Sequence, residues 1–159
     1  MLHEFTHLFF YRLFGAAPLP AWINEGLAEH VAATVRREQL PELARFDAGL
    51  RCHAEEFRDR FRYEVLLSPD DLMRKEAVTP QDVGVYAQSW AFVAYLVRDD
   101  PAKANAFLRL LLAETPIAKS PAAQTAAFRQ AFGRDIESQW REFLAWMRVR
   151  AEKNELPSA

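Results

Sequence analysis

His3-Glu4-Phe5-Thr6-His7 opens the chain, and Glu25 follows eighteen residues after His7 in the run Asn24-Glu25-Gly26-Leu27-Ala28-Glu29. Helical residues four apart differ by ~40° in azimuth and ~6 Å along the axis, so His3 and His7 can reach one ion from the same face. Glu4 lies beside them, free to take or return a proton. A carboxylate from a second helix, Glu25, would complete a His₂Glu donor set with its fourth position open to water. That is the pattern of a catalytic zinc (Zn²⁺) rather than a structural one. Glu29 sits one helical turn beyond Glu25 on the same face. From there it can accept a hydrogen bond from the non-ligating nitrogen of a ligand histidine, fixing the tautomer and raising the basicity of that ring.

These residues need two packed helices to bring them together, and the pattern supplies them. Residues 2–14 read as an apolar helix ending at Gly15, with Pro18 and Pro20 holding the following loop extended. Residues 21–37 read as a second helix, stopped before Pro41. A third is expected over about 42–62, with Leu43, Leu50, Phe57 and Phe61 along one stripe. Ser68-Pro69, Asp100-Pro101 and Ser120-Pro121 are each a capping residue followed by proline at the first helical position. Tyr86, Trp90, Val93 and Val97 give another stripe, and Ile136, Trp140, Phe143, Leu144 and Met147 a full face of the last helix. No useful length alternates with period two, so the expected fold is all-α, with about eight helices. One domain over residues 1–150 is expected, followed by a flexible tail at 151–159.

In combination, the HExxH string, the Glu25–Glu29 run and Tyr86-Ala87-Gln88-Ser89-Trp90 resemble the gluzincin zinc metallopeptidases. They are most similar to bacterial peptidase-MA-like domains, over roughly residues 1–147. The resemblance implies that His3, His7 and Glu25 are zinc ligands, Glu4 the general base and Glu29 the carboxylate behind a ligand histidine. It also matches Tyr86 to a tyrosine that supports the oxyanion in the aminopeptidase branch. Tyr86 equally begins an apolar stripe, and a core tyrosine with a satisfied hydroxyl is the competing expectation. In the family, more helix and a substrate-holding β-sheet precede the metal motif. With His3 so near the first residue, the chain is expected to be an N-terminally truncated piece that binds zinc weakly and cleaves poorly.

Composition narrows the alternatives. The 159 residues are 50% apolar and 26% charged, an ordinary globular balance, and with a net charge of −2 nothing argues for a nucleic-acid or anionic-membrane partner. No apolar run reaches membrane-spanning length. The single cysteine, Cys52, excludes an internal disulfide and reads as a small core or boundary residue. His30 and His53 read as ordinary histidines, and Trp90, Trp140 and Trp146 as core. Three function classes follow: a zinc metallopeptidase acting on peptides or proteins, a helical domain that binds zinc or peptide without cutting, and a helical interaction module in which the motif is accidental. An intact Glu4 speaks against the second, since a structural site needs no base. Glu25 and Glu29 together speak against the third.

Overall fold

Serine, aspartate and proline decide where several helices begin. In the computed structural model, Ser68 and Ser120 stand in extended backbone and accept hydrogen bonds from the amides of Asp71 and Ala123, at 3.1 and 3.2 Å. Asp100 and Asp135 do the same for the amides of Lys103 and Ser138, at 3.0 and 2.7 Å. Each such cap satisfies an amide that the helix leaves unpaired, typically worth ~1 kcal/mol.

The structure describes residues 2–14, 19–39, 66–79, 82–113 and 120–152. Among these residues there are seven helices and no strand: α1 (Leu2–Phe14), α2 (Ala21–Gln39), α3 (Pro69–Met73), α4 (Val83–Asp99), α5 (Pro101–Ala113), α6 (Pro121–Phe132) and α7 (Ile136–Glu152). The fold is all-α, as expected. The helix expected over 42–62 lies outside the described residues, as do Cys52 and His53. Helix α2 runs two residues beyond its expected end at 37, and α7 continues to Glu152; residues 153–159 of the expected tail lie outside the described residues.

The core is built around α4, whose buried side runs through Trp90, Phe92, Val93 and Leu96. Phe92 joins three helices: its ring stacks on Trp22 of α2 at 5.7 Å and meets Trp140 and Phe143 of α7 at 4.9 and 5.2 Å. A second aromatic group, Phe107 with Phe128 and Phe132, locks α5 to α6. Trp90 and Trp140 are buried and Trp146 is partly so, the core role expected of them.

One glycine sets how closely α2 lies on α4. A Cβ on Gly26 would stand 2.6 Å from the Ser89 carbonyl oxygen and 2.7 Å from Val93 Cγ2, inside any tolerable contact. The absent side chain lets the α2 backbone press onto α4, and Glu25 is the residue just before that contact.

A candidate metal centre between α1 and α2

Helix α1 packs on α2 with an unusual face inward. His3, Thr6, His7 and Phe10, spaced i, i+3, i+4 and i+7, are buried or half-buried, and Thr6 Oγ1 donates to the Leu2 carbonyl at 2.9 Å. Phe5, Leu8, Phe9 and Tyr11 instead face solvent, each at least half exposed. The polar edge of an otherwise apolar helix is the edge that is covered.

That inversion brings three electron-pair donors together. His3 Nε2 and His7 Nε2 are 2.9 Å apart, and they lie 3.2 and 3.4 Å from Glu25 Oε2. Among the described residues these three form the group able to hold a metal ion. On its other side, His3 presents Nδ1 to Glu29 Oε1 at 2.9 Å. A proton on Nδ1, donated to Glu29, leaves the Nε2 lone pair pointing at the cluster. With both inward nitrogens bare, Glu25 Oε2 is a buried acceptor without a donor. Three mutually facing lone pairs repel unless a cation lies between them, and that cation is either a proton or a metal.

The donor set fits zinc. Tetrahedral coordination with bonds of about 2.0–2.1 Å places ligand atoms about 3.3 Å apart. The three separations, 2.9, 3.2 and 3.4 Å, fall around that value. Two imidazoles and a carboxylate are also the ligand chemistry that zinc prefers.

With protons as the shared cations, the cluster is an ion pair. Hydrogen bonding to Glu25, then to Glu29, outweighs burial and raises His3 to about 9. Hydrogen bonding to Glu25 also raises His7. Burial alone would raise Glu25, but its hydrogen bonds with His3 and His7 prevail and hold it at about 2. A metal must therefore displace protons to enter.

Tyr86, on the first turn of α4, comes to the same place. Its ring centroid is 6.2 Å from that of His3. Burial first, then the charge of Glu25 and a hydrogen bond with it, then Glu29 and Glu4, push its hydroxyl up to about 12. Tyr86 is half-buried with its polar end at the cluster, whereas Trp90 and Val93 further along its stripe are buried in the core. Glu4 lies on the exposed side of α1, next to His3. His30 is half-buried on α2 and outside the cluster. Gly26 was missed by sequence reasoning, although a glycine inside a helix is itself a signal of close packing.

No family model, curated protein or solved structure matches the chain.

Proposed function

We propose that this domain is a zinc-dependent metallopeptidase in which His3, His7 and Glu25 hold the ion. The observation that carries this is the convergence of three lone pairs 2.9–3.4 Å apart, with Glu29 bracing the far nitrogen of His3. Zinc held there would lower the pKa of a water to near 7 and polarise a scissile carbonyl. Glu29 keeps the His3 tautomer that points its lone pair inward. Glu4, beside the ligands yet open to solvent, takes the proton of the attacking water and returns it to the leaving amine. Tyr86 offers a phenol O–H beside the cluster, a hydrogen-bond donor that supports the oxyanion. A site serving structure alone would need neither a free carboxylate nor a phenol.

The test is Glu4→Gln, which preserves shape but cannot accept the proton. In a form of the protein whose casein hydrolysis is measurable, such as one extended upstream, zinc content should be unchanged and hydrolysis should fall to background. Hydrolysis close to that of the parent would remove Glu4 from its role, and the peptidase assignment with it.

A further inference from the structure

Helix α1 turns its donor-bearing face to α2 and leaves the opposite face open. Four of the five large apolar side chains exposed among the described residues lie on this one helix: Phe5, Leu8, Phe9 and Tyr11. An aromatic side chain has about 150–250 Å² to bury, so these four leave on the order of 400 Å² of apolar area uncovered. A patch of that size on a single chain is often a site of interaction.

The charges on this face are arranged to suit a second copy of itself. Leu8 lies at its middle. Glu4 and Arg12 stand four residues before and after it, and Phe5 and Tyr11 three residues before and after. Glu4 and Arg12 are both exposed, and neither has an ion-pair partner among the described residues. They cannot answer each other within one helix, where pairs form three or four residues apart and these two are separated by ~12 Å along the axis. Two such helices laid antiparallel, with their Leu8 side chains in contact, level each residue before Leu8 with the one equally far after it in the other copy. Glu4 then meets Arg12 twice, once on each side of the two-fold axis, and Phe5 comes level with Tyr11. A parallel pairing would instead set Glu4 against Glu4 and Arg12 against Arg12.

We infer that this face of α1 is a docking surface for a second copy of the chain, paired antiparallel about Leu8. The apolar area falls short of the ~800 Å² per partner of a standard stable complex, so the pair is weak, with a dissociation constant of roughly 10–100 µM. The pairing stands on exposure and charge; its consequence for Glu4 rests on the metallopeptidase proposal. A carboxylate held by an arginine of the other copy is drawn away from the water it is to deprotonate. The pair is then the resting form and the separated chain the working one.

The experiment is sedimentation velocity of the full chain, from well below to well above that concentration range. The parent should pass from monomer to dimer. Arg12→Glu, which turns two attractions into two repulsions, should weaken the pair at least ~10-fold. Glu4→Arg/Arg12→Glu, which exchanges the charges, should restore it to near the parent's strength. Both positions are exposed, so the helical circular dichroism of each variant should match the parent's. Carbodiimide labelling of Glu4, read by peptide mass spectrometry, should slow as the dimer fills. A monomer at every concentration, an Arg12→Glu protein that pairs like the parent, a charge exchange that fails to rescue, or equal labelling of Glu4 across the range would each overturn the inference. A monomer that instead sediments with vesicles of phosphatidylcholine and phosphatidylglycerol would overturn it too, and would give the face to a lipid surface. None of these readouts requires zinc or turnover. A pair that forms in a protein unable to hold zinc or cut would count against the metallopeptidase proposal alone, and a zinc-binding chain that stays monomeric against the pairing alone.

Discussion

Tyr86 shows why a residue's position in a stripe does not settle its role. It shares the spacing of Trp90 and Val93, yet its ring lies 6.2 Å from that of His3 and its hydroxyl senses Glu25. Tyr86→Phe should lower turnover ~10²-fold, the scale of losing one oxyanion donor, while zinc content and thermal stability hold. Lost stability with full turnover would instead mark a core tyrosine. The histidines make a prediction of their own. In metal-free protein His3 is raised from 6.5 to about 9, so its pairing stabilises the fold fully below pH 6.5 and fades as pH rises through 9. Glu25 is lowered from 4.5 to about 2, so the same pairing is intact above pH 4.5 and fails as pH falls through 2. These are two views of one interaction, which is strongest between pH 4.5 and 6.5. NMR of the metal-free His3 ring should find a midpoint near 9 that disappears on adding zinc. A midpoint at the ordinary 6.5 would mean that the cluster does not form in solution.

At the scale of elements, the helix starts were legible because their signals are local. Ser68-Pro69 and Ser120-Pro121 carry both the cap and the fixed φ, and the helices begin there. Which face of α1 is covered was legible from the metal motif but not from the apolar pattern. Periodicity arguments assume that apolar residues turn inward, whereas α1 turns half-buried His3 and His7 and buried Thr6 toward α2 and exposes Phe5 and Leu8. The metal motif was readable from spacing. Gly26 links packing to the site. Gly26→Ala forces a methyl to within 2.6 Å of a backbone oxygen, so α2 must lift from α4 and carry Glu25 with it. We expect a stability loss of about 1–3 kcal/mol by denaturant unfolding, as for other overpacked sites. Zinc affinity should weaken in step. Unchanged stability would show that the two helices are not pressed together there.

For the whole molecule, the all-α architecture follows from the lack of period-two patterning and from prolines spaced between helices. The aromatic core around Phe92 then holds α2, α4 and α7 as one body, which is what keeps Glu25 and Tyr86 in register. Among the described residues no helix is long and apolar enough to cross a membrane. The central claim, that this body exists to hold a zinc between α1 and α2, is tested most directly by metal analysis of protein purified without added metal. One zinc per chain is expected in the parent and almost none in His7→Ala, in which one of three converging donors is gone. A parent without zinc after exposure to the ion, or a His7→Ala protein that keeps its full complement, would contradict the account.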